Sequence, residues 1–325
     1  MVHKMKKILV CGAGGFIGFH LVEELKKQGH YVIAADIKLP RFGDSVADEF
    51  NLYDLRDPSL VAQLITPNID EIYQLAADMG GTGYIGTGEH DADIMHNSAL
   101  INLNVLHEAT KKRISKILYT SSACVYPEFN QEDPNNPNCE EYTAYPAQPD
   151  TEYGWEKLFS ERLYFAHAKN YNIDAKVVRL HNVFGPSGSW NDGKEKAPAA
   201  LCRKIAECEE GGTVEIWGPG TQTRTFLYID ECIKGLLKVM ASDITIPVNL
   251  GSERMISIND LAYLIADIAD KNINIKNVSG PIGVMGRSSH NDLIEELLKW
   301  RPAENLEYGL THTYEWIEGQ VNALQ

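Results

Sequence analysis

Lys7-Ile-Leu-Val-Cys-Gly12-Ala-Gly-Gly15-Phe-Ile-Gly18 decides how this chain is read. Lys7–Cys11 is a short apolar run of the kind a buried strand makes, and glycines close it. A helical pattern follows from Phe16 to Gln28. Glycines at such a junction let the backbone turn tightly and approach a pyrophosphate, while the helix N-terminus offers unpaired N–H groups and a favourable dipole. The spacing is G-x-x-G-x-x-G, because Ile17 stands where the commoner G-x-G-x-x-G form has its last glycine. Alone, such a loop is a weak signal, since loops of this composition are often plain turns. Its place after a strand, with Asp36 at the end of the next strand Tyr31–Ala35, makes it specific. Gly12, Gly15, Phe16, Ile17 and Gly18 are therefore expected to cradle a dinucleotide. Asp36 would accept hydrogen bonds from a ribose diol and repel a 2′-phosphate, favouring NAD over NADP, with Lys38 weakening that preference slightly. Asp54 is a candidate for the adenine end or for a helix cap.

Outward from this loop the strand and helix signals keep alternating. Strands are expected at Glu71–Leu75, Lys116–Thr120 and Ala175–Leu180, with helices around Asn97–Lys112 and Gly154–Lys169. This rhythm predicts an α/β chain with a Rossmann-type, doubly wound parallel sheet covered by helices on both faces. After Leu180 it breaks into a loop-rich segment. The expected division is residues 1–180 as a dinucleotide-binding domain and 181–325 mainly as a smaller α/β substrate-binding domain. Parts of 225–250, the Val248 strand above all, are expected to return to the first.

Composition narrows the function. The chain has 325 residues, 44% of them apolar, with 30 Lys+Arg against 45 Asp+Glu and a net charge of −15. That balance is a poor footprint for nucleic acid or an anionic membrane. Any anionic ligand must be bound locally, against the overall field. No apolar stretch reaches membrane-spanning length, and the N-terminal one is too short for a signal core. The six cysteines form no C-x-x-C pair, and the ten histidines are scattered. The expectation is a soluble, cytoplasmic protein with reduced thiols and no metal.

Tyr153-Gly-Trp-Glu-Lys157 puts a phenol and an ammonium one helical turn apart on one face. A nearby ammonium favours phenolate, so this pairing is expected to lower the tyrosine's pKa and make it a usable base. Ser122, at the end of the Lys116–Thr120 strand, could hydrogen-bond the same substrate hydroxyl. Y-x-x-x-K is a frequent accident; joined to the glycine loop and to Ser122 it becomes specific.

These residues resemble the extended short-chain dehydrogenase/reductase superfamily, whose nucleotide-sugar members bind NAD and a sugar nucleotide. Within it the chain resembles the GDP-mannose 3,5-epimerases over nearly its whole length. The matching pieces are Ala76–Gly81, Ser121–Phe129, Tyr153–Leu158, His181–Pro186, Lys194–Ala200, Trp217–Arg224, Tyr228–Cys232 and Gly286–Asn291. The resemblance implies oxidation of a GDP-hexose at C4, inversion at C3 and C5 beside the ketone, and re-reduction, converting GDP-mannose to GDP-L-galactose and GDP-L-gulose. It makes Ser122, Tyr153 and Lys157 the oxidation group, with Tyr153 and Lys157 also touching NAD. It makes Cys124 and Lys196 the acid–base pair, and an ordinary thiol pKa of about 8.5 needs only a modest downward shift for such a role. It also implies that Arg224 and Arg287 grip the diphosphate, that Asn182 and Lys204 assist, and that Gly80, Gly81 and Met79 make room for the hexose. A homodimer through the Asn97–Lys112 and Gly154–Lys169 helices is implied as well.

Four residues depart from the pattern. Thr82 replaces a methionine, Trp155 a smaller aliphatic residue, Met285 an arginine and His290 an aspartate. An epimerase of a related GDP-sugar, or another NAD-dependent 4-epimerase or 4,6-dehydratase of sugar nucleotides, is the competing reading. A dehydratase would favour an Asp-Glu pair where Ala123-Cys124 stands, and a 4-epimerase would not need Cys124 or Lys196. A non-enzymatic NAD-binding protein is disfavoured by the intact Ser122, Tyr153 and Lys157.

Overall fold

In the computed structural model, which describes residues 4–303 and 306–324, the opening stretch forms strand β1 (Lys7–Cys11) and helix α1 (Phe16–Lys27). Further parallel strands are β2 (Tyr31–Asp36), β3 (Glu49–Leu52), β4 (Glu71–Gln74), β5 (Lys116–Ser122), β6 (Asp174–Leu180) and β7 (Val248–Leu250). Their order across the sheet is β7-β6-β5-β4-β1-β2-β3. The direction of winding reverses at β1, between β2 and β4. In open α/β sheets the crevice outside the carboxyl ends of the strands at such a point takes the ligand.

The sheet is covered on both faces. Ile8 and Val10 belong to one apolar core with Leu21, Val22 and Leu25 of α1. Leu9 and Cys11 belong to another, with Val105, Leu106 and Tyr164. Alternate residues of a strand point to opposite faces, so a strand buried on both sides must be apolar throughout.

The second core is supplied largely by α2 (Asp91–Lys111) and α3 (Glu152–Tyr171). Sequence periodicity places the start of α2 near Asn97, yet it begins at Asp91. Asp91 and Asp93 occupy its first turn, where carboxylates are favoured by the helix dipole but mask the apolar period. A bidentate pair of Arg179 on β6 with Glu161 on α3, at 2.9 and 2.7 Å, ties strand to helix, and Ser121 on β5 donates to the same carboxylate at 2.6 Å. Both charged side chains are buried, so each depends on the other.

Beyond β6 the chain builds small sheets over the carboxyl edge. Thr213–Trp217 pairs in parallel with Asn274–Val278. Thr223–Arg224 lies between Ile256–Ser257 and Gly286–Arg287, with Arg224 and Arg287 in register. Helix α4 (Ala197–Glu207) packs here. Val248–Leu250 leaves this region and pairs with β6 at the edge of the large sheet. Among the described residues no helix is long and apolar enough to cross a membrane, and no group of His, Cys, Asp and Glu is arranged to hold a metal ion.

Candidate active site

β5 ends at Ser122 and runs into a single 3-10 turn, Ala123–Val125. The Ser122 hydroxyl accepts the Cys124 N–H at 3.2 Å, which fixes the turn and brings both side chains to the sheet's carboxyl edge. Helix α3 starts beside them. Thr151 caps it by accepting the Gly154 N–H at 3.2 Å, setting Tyr153 in the first turn and Lys157 one turn on. A Cβ at residue 154 would collide with the Cys124 carbonyl oxygen, so glycine is what lets the helix approach the turn. Lys157 donates to the Thr120 carbonyl at 2.9 Å, and its Nζ lies 5.6 Å from the Tyr153 ring centroid.

The electrostatics of this group differ from the sequence expectation. Burial raises the Tyr153 phenol well above its ordinary pKa, and nearby Cys124 and Glu156 add to the rise; the Ser122 hydroxyl and the Arg287 charge pull it back. Burial likewise lowers Lys157. Desolvation outweighs the ammonium because both groups sit in the same dry place, where each charged form is penalised.

Ser122, Cys124 and Tyr153 line a cavity of about 400 Å³ with Lys196, Arg224 and Arg287. Lys196 occupies the N-cap of α4, across the cavity from the sheet edge. Burial lowers its pKa, Arg287 adds to the lowering, and Cys124 and Cys232 oppose it. Gly80, Gly81, Met79, Asn182 and Lys204 also line the cavity.

The two arginines are less free than the sequence suggests. Arg224 donates to the carbonyls of Thr223, Ile282 and Val284, and burial, helped by Arg287, pushes its pKa down to about 10. Arg287 donates to Gln131, to Asp150 at 3.4 Å and to the Cys124 sulfur at 3.1 Å. Lys204 donates to the Glu215 carbonyl at 2.6 Å. Asn182 adopts a positive φ of 41° and its side chain holds the Thr225 carbonyl.

At the switch point, Gly12 has φ of 82°, a conformation open to glycine, and a Cβ there would lie 2.7 Å from the Ala76 nitrogen. Gly15 caps α1 with no side chain over the first N–H groups. Asp36 accepts from the N–H groups of Gly14 at 3.0 Å and Lys38 at 3.2 Å, and remains half-buried at the strand end. A helix N-terminus without a side-chain cap beside a strand-end carboxylate fits an adenine dinucleotide: Gly12, Gly15, Phe16, Ile17 and Gly18 would face its phosphates and Asp36 a ribose. Asp54 is clasped by Arg56, with contacts from 2.6 to 3.1 Å, and the cap of the following helix is Asp57.

Of the four departures, Thr82 lines the cavity and Trp155 does not; its ring lies on the outer face of α3. The Met285 carbonyl accepts from the Thr223 N–H, and His290 lies 3.3 Å from the Ser288 hydroxyl. Asp150, Glu195, Trp217 and Gln222 line the cavity without having been singled out. The last three fall inside stretches matched as wholes, so the signal was present without a role attached.

A parallel sheet with a glycine loop at its switch point, and a Ser-Tyr-Lys group at the mouth of an adjoining cavity, defines a short-chain dehydrogenase/reductase architecture. Residues 8–251 match the NAD dependent epimerase/dehydratase family, and the chain belongs to it. Over 317 residues it is 43% identical to GDP-mannose 3,5-epimerase of Arabidopsis thaliana, an alignment covering 97% of this chain and 83% of that one. Among solved structures it is similar to UDP-glucose 4-epimerase of Thermotoga maritima, with a TM-score of 0.84, 24% identity, and 97% and 99% of the two chains covered. UDP-glucuronic acid 4-epimerase of Bacillus cereus, solved with UDP-glucuronic acid and NAD, gives a TM-score of 0.81, 25% identity and the same coverage.

Proposed function

We propose that this protein epimerises GDP-mannose at C3 and C5, yielding GDP-L-galactose and GDP-L-gulose. The observation that carries the reading is one cavity in which Cys124 and Lys196 join Ser122 and Tyr153, in a chain 43% identical to a GDP-mannose 3,5-epimerase. Tyr153 takes the C4 hydroxyl proton, Ser122 hydrogen-bonds the same oxygen, and Lys157 beside the ring favours the phenolate that results. When bound, NAD would supply the hydride acceptor for C4 and the hydride for re-reduction, with no net consumption. A C4 ketone acidifies the C–H bonds at C3 and C5. Cys124 removes a proton from one face of the sugar and Lys196 delivers one to the other. Arg224, Arg287, Asn182 and Lys204 supply donors to the sugar diphosphate, against the net charge of −15.

We assign residues 1–180 mainly to the cofactor and 181–325 mainly to the sugar nucleotide. All six thiols are free, which supports a reducing, cytoplasmic setting. Leu103 on α2 and Trp155 and Phe159 on α3, each at least 40% exposed, support a homodimer through these helices. Light scattering should report a dimer that Trp155→Glu dissociates; a monomeric parent protein would refute it.

The deciding experiment incubates the protein with NAD and GDP-mannose in D₂O and follows the sugar by NMR. Deuterium at C3 and C5 with no net cofactor reduction is expected. Exchange with a different GDP-sugar alone would move the substrate assignment, and no exchange with any sugar nucleotide would remove the reading.

A further inference from the structure

The Met79–Gly86 wall of the cavity is fastened to the segment that carries Lys196. The Gly81 N–H donates to the Lys194 carbonyl at 2.9 Å, and a Cβ at residue 81 would strike the Glu195 carbonyl oxygen. Side chains reinforce this backbone contact. The Lys194 ammonium lies 3.7 Å from the centroid of the Tyr84 ring and 3.8 Å from Asp78 Oδ1. Tyr84 donates its hydroxyl to that same oxygen at 2.9 Å, and its ring stacks on His90 at 4.3 Å. Asp78 is in turn held by α2: Asn97 donates to its other oxygen at 2.8 Å, and the Ser98 hydroxyl accepts its N–H at 3.1 Å.

A continuous path of contacts thus runs from α2 through Asp78 to Tyr84 and Lys194, and stops two residues short of Lys196. The segment that carries Lys194 has little regular structure of its own, with turns and bends from Pro186 to Gly193 and a positive φ at Gly193. A cation held over an aromatic face beside a carboxylate resists displacement more than either contact alone.

We propose that Tyr84 and Lys194 are positioning residues whose latch, anchored through Asp78, sets the Lys196 ammonium opposite Cys124. This rests on the acid–base reading of Cys124 and Lys196. Neither latch residue lines the cavity, and Lys194 stands clear of the cluster of Ile94, Cys124 and Tyr153 against which the Tyr84 ring packs. Releasing the latch lets the Lys196 backbone drift while leaving Ser122, Tyr153 and Lys157 in place on β5 and α3. Proton delivery at C3 and C5 then suffers and oxidation at C4 does not.

The test compares two rates in the NAD-loaded protein with GDP-mannose in D₂O: deuterium entry at C3 and C5 by NMR, and the transient appearance of reduced nicotinamide within a single turnover by stopped-flow absorbance. Lys194→Met and Tyr84→Leu should lower the kcat for deuterium entry by about ten- to a hundredfold, since ångström-scale misplacement has that effect. In Lys194→Met, C4 oxidation and KM should change by less than about threefold. Lys194→Arg should restore exchange, and Tyr84→Phe, which keeps the ring and loses the Asp78 bond, should fall between. Equal losses in both rates, a raised KM with unchanged kcat, or Lys194→Arg as impaired as Lys194→Met would each overturn the proposal. A second readout needs no turnover. Amide hydrogen exchange at Gly81 should accelerate in Lys194→Met, and unchanged protection there refutes the latch whatever the substrate. Absence of deuterium entry in the parent protein would strike the proposed function instead.

Discussion

Ser122, Tyr153 and Lys157 stand on the end of a seven-residue strand and the first turns of a twenty-residue helix. Lys196, Arg224 and Arg287, across the same cavity, stand on a helix cap and on strands of two residues. The first group is held by the packing of the large sheet and by the buried Arg179–Glu161 pair. The second is held by side-chain and carbonyl contacts between segments distant in sequence. With the proposed roles, the redox group and Cys124 share the first support, and Lys196 and the two arginines stand on the second. Redox at C4 needs one fixed geometry, whereas inversion at two carbons needs a proton donor that can serve both.

The strongest test removes one group from each half of the proposed chemistry, Tyr153 from redox and Cys124 from inversion. Tyr153→Phe should abolish both C4 oxidation and deuterium entry. Cys124→Ala should lower deuterium entry by about 10²–10⁴-fold, the usual worth of a general acid or base, while reduced nicotinamide still accumulates with GDP-mannose. Parallel loss of both activities in Cys124→Ala would merge the two halves into one catalytic unit.

A smaller effect sharpens the comparison through pH. Burial holds Lys196 below the ordinary lysine range, so in its proposed role as acid it gives up its proton at a lower pH than a free lysine does. Deuterium entry should therefore fall on the alkaline side before a free lysine would titrate. Lys196→Arg, which stays protonated, should flatten that limb even though its rate is lower. An alkaline limb unchanged by Lys196→Arg would assign the titration to another group.

The sheet and the cofactor end were legible in the sequence because their determinants are local. A strand, a glycine turn and a helix are neighbours in the chain, and Asp36 sits one strand on. Tyr153 and Lys157 were legible through their spacing of four. The proposed acid–base pair was nameable only by resemblance, because seventy-odd residues separate Cys124 from Lys196 and no period links them. What the sequence hid was competition for the same groups. The Arg287 guanidinium is shared among Cys124, Gln131 and Asp150, and the Tyr153 phenol is pushed up by burial where the lysine alone would have pulled it down. Both outcomes depend on how tightly distant segments close over the site.

The return of β7 to the edge of β6 has a consequence for the protein's synthesis. When β6 leaves the ribosome its outer edge offers unpaired N–H and C=O groups, and the strand that covers them is made only after the whole 181–247 stretch. Until then the nascent sheet carries an open edge of the kind that pairs with other chains. The strand Val248-Asn-Leu250 is three residues long and pairs with Val178–Leu180, so it replaces that end of the β6 edge with a short edge strand, which is a poorer template for pairing. Early termination between these strands should therefore release a chain with an adhesive flank, and chaperone demand should be greatest in that interval of translation.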